Sequence, residues 1–151
     1  MRFILSILIC LLWLSNQTLN ARQSHYSFHQ ISIEEGLSQS SVQAILIDSK
    51  GTLWIGTKNG LNKYVQQELK TFLHQPDNPA SIPHNQIHHI EEDSIGTIWL
   101  STANGIATYN YQGDEFTLIS RNIAYSSIKV EGGILFGGDN FILRYDYRFK
   151  N

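Results

Sequence analysis

The chain has 151 residues, of which 42% are hydrophobic and 16% are charged, and this balance is typical of a globular protein rather than a disordered one. Its formal net charge of −2 at pH 7, with lysines and arginines scattered singly, argues against a nucleic-acid-binding surface. The one cysteine, Cys10, lies near the amino terminus, so no disulfide within the chain can support the fold.

The amino terminus has the order of a secretory signal peptide. Arg2 precedes an apolar run at residues 3–14, and a polar stretch that ends in Ala21 follows. The apolar run is too short to cross a hydrocarbon core, which needs about 20 such residues. We therefore predict a signal peptide at residues 1–21 and an exported or periplasmic mature chain at 22–151, with an uncleaved anchor as the alternative.

The next segment predicts a strand, because apolar residues alternate loosely between His25 and Ile33. Beyond it, a 17-residue pattern occurs twice. Residues 48–64 read DSKGTLWIGTKNGLNKY, and residues 93–109 read DSIGTIWLSTANGIATY. Trp54 and Trp99 mark the common offset of 45 residues. A fixed period of this size is the signature of a repeat architecture.

Each copy has the local chemistry of paired strands and tight turns. The Asp-x-x-Gly segments at 48–51 and 93–96 suit type I turns, and the alternating run that follows each is typical of a strand. The Asn59-Gly60 and Asn104-Gly105 pairs predict type I′ hairpin turns, with positive φ at both central residues. A second strand follows each pair.

Flanking segments complete a unit of four strands and predict an all-β fold. Strands are predicted at 41–48 and 86–93 before the two copies, and at 69–74 and 115–119 after them. All three prolines lie within 75–83, which predicts a loop between units. A third, degenerate copy follows at 132–146, with Leu135 at the tryptophan position.

These motifs resemble the two-component regulator propeller repeat, whose pattern of D-x-x-G, L-W-I-G-T, x-x-G-L and an aromatic residue matches the first copy. The second copy departs from it at Leu100, Ser101 and Ile106. The resemblance extends from Gly36 to about Tyr145, and its lead-in is GLSQSSVQAI. It implies a partial β-propeller of about three four-stranded antiparallel blades, at 36–80, 81–122 and, degenerate, 123–147. The strand before Gly36 would complete another blade.

Aromatic and hydroxyl side chains inside the repeats are interpreted as structural. Trp54 and Trp99 could stack on a ligand, but one tryptophan on a strand of each unit is better explained by packing between blades. Thr57 and Thr102 are expected to satisfy backbone groups near the strand ends.

Clusters of titratable residues do not predict a reactive centre. His84 and His88 would lie about 13 Å apart along a strand, and His88 and His89 are expected on opposite faces, so no metal site is predicted. The acidic runs at 91–93 and 114–115 are interpreted as solvated edges rather than acid–base pairs or calcium ligands. We predict no catalytic, cofactor-binding or metal-ligating residue and do not expect an enzyme.

The resemblance implies the extracytoplasmic input region of a hybrid histidine kinase or diguanylate cyclase, which senses a small-molecule or carbohydrate ligand. Propellers close with about four to eight blades, and three blades leave two open edges. We therefore expect the front part of a longer sensor, without a membrane span in this chain. The alternative is a free-standing exported binding or scaffold module that closes by oligomerisation.

Overall fold

The computed structural model describes residues 27–149, so the predicted signal peptide lies outside the described residues. The chain divides into a first unit, Met1–Gln30, and a second unit, Ile31–Asn151, which contains every strand described below. Among the described residues, no helix is long and apolar enough to span a membrane.

Eleven strands and one short 3-10 turn form the described part of the second unit. The strands are β1 (Val42–Ile47), β2 (Leu53–Thr57), β3 (Gly60–Val65), β4 (Glu68–Phe72), β5 (Ile87–Glu92), β6 (Ile98–Thr102), β7 (Gly105–Asn110), β8 (Glu115–Ser120), β9 (Ser126–Val130), β10 (Gly133–Gly137) and β11 (Ile142–Asp146), and the turn is Tyr147–Phe149.

The strands form three antiparallel sheets, in which neighbours in sequence are also neighbours in space. The first sheet has the order β1-β2-β3-β4, the second β5-β6-β7-β8 and the third β9-β10-β11. β5 packs against both β1 and β9, so the first strands of the three sheets lie side by side. This confirms the all-β partial propeller, with the difference that the third sheet has three strands in the described part of the chain.

Hydrophobic side chains fill the two junctions between sheets. Between the first and second sheets, Trp54 packs edge-on against Tyr109, with ring centroids 4.7 Å apart, and Phe72 packs against Phe116 at 5.2 Å. Between the second and third sheets, Trp99 packs against the core that contains Phe136. Each tryptophan therefore faces the sheet that follows its own.

The hairpin turns between β2 and β3 and between β6 and β7 differ from the prediction. Only the glycines have positive φ, 126° at Gly60 and 123° at Gly105. Gly60 pairs with Thr57 without a register shift, so the loop consists of Lys58 and Asn59, and neither of these two residues has positive φ. The type I′ prediction was wrong because the Thr57 hydroxyl, which accepts from Asn59 N and donates to Gly60 O, closes the loop one residue earlier.

The Asp-x-x-Gly turn holds the tryptophan as well as its own backbone. Asp48 Oδ1 accepts from the N–H groups of Lys50 and Thr52, and Oδ2 accepts from Trp54 Nε1 at 2.8 Å. Asp93 repeats this arrangement with Trp99 at 2.7 Å. The sequence analysis predicted the turn but missed the indole bond, whose only signal is a spacing of six residues in both copies.

Candidate functional site

The first junction contains a polar cluster around Asp114, at the outer ends of the first two sheets. Lys63 lies 2.9 Å and Lys70 lies 2.5 Å from its carboxylate oxygens, and the Tyr109 hydroxyl also donates to it. Burial works to raise the pKa of Asp114, but hydrogen bonds from Lys70, Tyr109 and Lys63 outweigh burial and lower it. The expectation of a solvated edge at Asp114 was wrong, because both lysines come from the neighbouring sheet.

A second set of bonds joins the Asp-x-x-Gly turn of the first sheet to the second sheet. The Tyr111 hydroxyl donates to Asp48 at 2.5 Å, and Glu92 accepts from the backbone and hydroxyl of Ser49 at 2.8 and 2.5 Å. Asp93 is buried and bonded to its tryptophan. Asp48, Glu92 and Asp114 thus connect the first two sheets, and Asp93 holds its own turn and tryptophan.

His88 and His89 lie on the inner strand β5, where they face the third sheet. His84 precedes this strand and accepts a hydrogen bond from Gln86 N–H. His88 Nδ1 bonds to Ala124 O at 3.0 Å, and His89 Nδ1 bonds to Ser127 Oγ at 2.9 Å. The expected divergence of the two rings was wrong, because a register shift between Ile87 and His89 interrupts the strict alternation. Within residues 27–149, no group of histidine, cysteine and acidic side chains has the arrangement of a metal site.

The outward face of the first sheet, which we call the front face, exposes residues whose equivalents in the second sheet are buried. Ile45 on β1 is 67% exposed, whereas Ile90, its equivalent on β5, is 3% exposed. The same contrast separates exposed Val42 from buried Ile87. The first sheet covers Ile90, whereas in the part of the chain that the structure describes no sheet covers the front face.

The outward face of the third sheet, which we call the rear face, shows the complementary contrast. Leu135 on β10 pairs with Ile128 on the first strand of the third sheet, and Trp54 on β2 pairs with Leu46 on the first strand of the first sheet. Leu135 and Trp54 therefore hold equivalent positions. Ile142, at the position of Leu61 in the first sheet, is 78% exposed, whereas Leu61 is 0% exposed. The rear face therefore carries leucine where the first two sheets carry tryptophan, and within the described residues no sheet covers it.

The lead-in segment covers part of the front face. Leu37 is buried, and Ser38 donates its N–H to Asn62 Oδ1 at 3.0 Å. The Ser38 hydroxyl lies 3.0 Å from Thr57 Oγ1. Asn62 pairs with Ile55 in the middle of the sheet, so Leu37 and Ser38 cover the centre of this face and leave Ile45 open.

An open groove separates the outer parts of the second and third sheets. Two cavities of about 210 and 320 Å³ lie there, and both are lined by Trp99, Ile119 and Tyr145. At the corresponding place in the first junction, Phe116 from the fourth strand of the second sheet fills the space against Phe72. The groove is open because the third sheet has no fourth strand in the described part of the chain.

A further cavity of about 370 Å³ lies at the outer rim of the first junction. Its walls come from β4, from the proline-containing loop and from the start of β8. Phe72, Asn78, Ser81, Asp114 and Phe116 are among the residues that line it. Aromatic, amide, hydroxyl and carboxylate groups thus surround one concave surface.

Comparison with known proteins agrees with the fold and the repeat. Residues 36–59 and 81–104 match the family described as "Two component regulator propeller". A segment of 65 residues is 40% identical to Histidine kinase P4 of Formosa agariphila. This segment makes up 43% of the present chain and 5% of that protein.

Two solved structures from B. thetaiotaomicron are similar over most of the chain. The extracellular domain of the hybrid two component system BT3049 has a TM-score of 0.72 and 25% identity, and the match covers 80% of this chain and 19% of that domain. The extracellular domain of BT4673 has a TM-score of 0.67 and 22% identity over 82% of this chain and 19% of its own. The chain thus spans about a fifth of these domains and confirms the resemblance that its motifs indicated.

Proposed function

We propose, since the chain contains two repeats of the two-component regulator propeller family, that it is the extracytoplasmic ligand-sensing segment of a two-component-type signal transduction protein. The observation that carries this proposal is the match of its repeats and fold to extracellular domains of hybrid two component systems. The predicted signal peptide at 1–21 supports export. In this proposal the chain supplies recognition, and a separate output domain supplies any catalysis.

The three blades act as part of a larger ring. The front face exposes Ile45 and the rear face exposes Ile142, at repeat positions that neighbouring sheets bury elsewhere in the chain. Propellers close with about four to eight blades, so one or more further blades would cover these faces. Those blades come from additional repeats of a longer polypeptide.

The rim cavity of the first junction is the proposed ligand site. Phe72 offers an aromatic surface, while Asn78 and Ser81 offer amide and hydroxyl groups, and this combination suits a carbohydrate or another small polar molecule. The inter-sheet bonds of Asp114 lie next to it, so an occupant would contact both blades. A ligand there could change how the two blades pack.

The experiment is a calorimetric screen of the purified chain against neutral and acidic oligosaccharides, compared with Ala80→Trp. Ala80 lines the cavity, so the indole would fill it and abolish the heat of binding. Asp77→Trp is the matched control, since Asp77 lies on the same loop, is exposed and is not among the residues that line the cavity. Equal binding by both variants would assign the ligand to another surface, and no binding by the wild-type chain would contradict ligand sensing by this segment.

The second candidate function is a free-standing exported binding or scaffold module that closes by oligomerisation. The favouring observation is that the front and rear faces are the two complementary halves of one blade junction. Copies of the chain could therefore cover each other's open faces without further repeats. The mass of the assembly in solution separates this candidate from the first.

A further inference from the structure

The segment before the lead-in has the sequence of an outer strand. Residues 27–32 read SFHQIS, and β8 reads EFTLIS, so Phe28 corresponds to Phe116 and Ile31 to Ile119. In β8, Phe116 is buried. Residues 27–32 form no strand in the structure, and the side chain of Phe28 is 96% exposed. Phe28 is thus exposed to solvent, whereas the equivalent residue in the second sheet, Phe116, is buried.

The third sheet offers the place that such a strand would fill. β11 has β10 on one side and no strand on the other within the described residues, so one row of its backbone groups is unpaired. The groove beside it is lined by Trp99, Ile119 and Tyr145. An aromatic side chain from an added strand would enter this groove as Phe116 enters the first junction. Strand addition to an open sheet edge is an established mode of recognition.

The lead-in begins at the outer part of the first sheet. Ser38 is bonded to the middle of the first sheet, and a Cβ built on Gly36 would lie 3.6 Å from Leu69 Cδ2 on β4. Gly36 therefore lies beside the outermost strand of this sheet. A blade docked on the front face would have its own fourth strand at this level.

We propose that residues 27–32 form the fourth strand of the third sheet of a second copy of this chain. The rear face of one copy packs on the front face of the other, with Leu135 at the tryptophan position. Two identical junctions of this kind close a ring of six blades, which is within the range of known propellers. This inference rests on the second candidate function and names the strand that completes its junction.

The pairing register follows from the repeat. In the second sheet, Phe116 lies opposite Tyr109, and Tyr145 occupies the position of Tyr109 in the third sheet. Phe28 of one copy then lies opposite Tyr145 of the other. In the second sheet, Thr117 lies opposite Thr108. His29 corresponds to Thr117 and Arg144 to Thr108, so His29 of one copy lies opposite Arg144 of the other.

A disulfide between copies tests this register. In a background of Cys10→Ser, we expect the full chain with His29→Cys and Arg144→Cys to form a covalent dimer on mild oxidation, because directly opposed residues have Cβ atoms about 4.5–5.5 Å apart. The control pair, Gln30→Cys with Arg144→Cys, puts the thiols on opposite faces and should give at least about tenfold less dimer. Equal cross-linking of both pairs, or a disulfide within one copy, would overturn the proposal.

Light scattering after size exclusion tests the assembly without cysteines. The wild-type chain should have twice the mass of one copy, and Phe28→Lys should weaken association at least about 100-fold, because a buried aromatic anchor dominates such a junction. Ser27→Lys adds the same charge at the position of exposed Glu115 and should leave the mass unchanged.

A wild-type chain that stays monomeric, or equal effects of the two lysine variants, would contradict the proposal. The β11 edge would then belong to a segment of a longer polypeptide or of another protein. No ligand is present in these measurements, so their failure is independent of the oligosaccharide screen.

Discussion

At the scale of single residues, one repeat position carries different side chains because the neighbouring sheets differ. Gly56 in β2 and Ser101 in β6 are equivalent. A Cβ on Gly56 would lie 2.6 Å from Ile87 Cγ2, so only glycine fits against β5. Ser101 is buried, and among the described residues its hydroxyl has no hydrogen-bond partner.

This difference predicts opposite effects of alanine at the two positions. Ser101→Ala removes an unpaired buried hydroxyl and should raise the free energy of unfolding by about 1 kcal/mol. Gly56→Ala forces a methyl group onto Ile87 and should lower it by about 1–3 kcal/mol. Urea denaturation of both variants measures the changes. A loss of stability in Ser101→Ala would show that the hydroxyl has a partner, such as an ordered water.

His89 predicts a pH dependence near neutrality. Burial lowers the pKa of His89 below its usual value of 6.5. The unfolded chain therefore binds more protons than the folded one below that value, so the stability from neutral His89 is complete above pH 6.5 and is lost as the pH falls through the folded pKa. His89→Gln should flatten the decline in unfolding free energy as the pH falls below 6.5, as measured by denaturant titrations at several pH values. An unchanged slope would contradict this assignment.

At the scale of elements, the hairpin between β3 and β4 contains the left-handed pair that the sequence predicted elsewhere. Gln66 has φ of 51° and Gln67 has φ of 68°, between the paired residues Val65 and Glu68. Glutamine is uncommon in this region of backbone space. Two consecutive positive φ values are the requirement of a type I′ turn, for which Asn-Gly is preferred.

Exchange of this turn predicts a gain in stability. Gln66→Asn with Gln67→Gly should raise the free energy of unfolding by about 1 kcal/mol, because the new residues adopt positive φ with less strain. The matched control is Lys58→Asn with Asn59→Gly in the preceding hairpin, where both loop residues have negative φ and no gain is expected. Thermal unfolding of the two double variants measures both stability changes. Equal shifts in melting temperature would mean that relief of backbone strain at Gln66 is not the cause of the gain.

At the scale of the whole molecule, equivalent residues have different roles because the arc of three blades has two ends. Ile90→Ala should lower the free energy of unfolding by about 2–5 kcal/mol, since it opens a cavity inside the first junction. Ile45→Ala should change it by less than about 0.5 kcal/mol when the chain is dilute. Denaturation at several protein concentrations measures both values. An equal cost at every concentration would mean that part of the chain already covers the front face.

The sequence alone determined the period, the strands of the two repeat copies, the Asp-x-x-Gly turns and the propeller repeat, because these depend on residues close together in the chain. The strand predicted between His25 and Ile33 was wrong for the described residues of that segment, which form no strand. The turn at Asn59 was misplaced by one residue, since a single threonine hydroxyl selects where the loop closes. Local chemistry thus predicts that a turn is present more securely than it predicts the turn type.

Only the tertiary structure decided which side chains meet across a junction. Lys63 and Asp114 are 51 positions apart and bond because their sheets are neighbours, which no short-range pattern indicates. The burial of Ile90 and the exposure of Ile45 likewise depend on whether another sheet lies opposite. Backbone preferences are set by adjacent residues, whereas burial and ion pairing are set by the surface that packs against them.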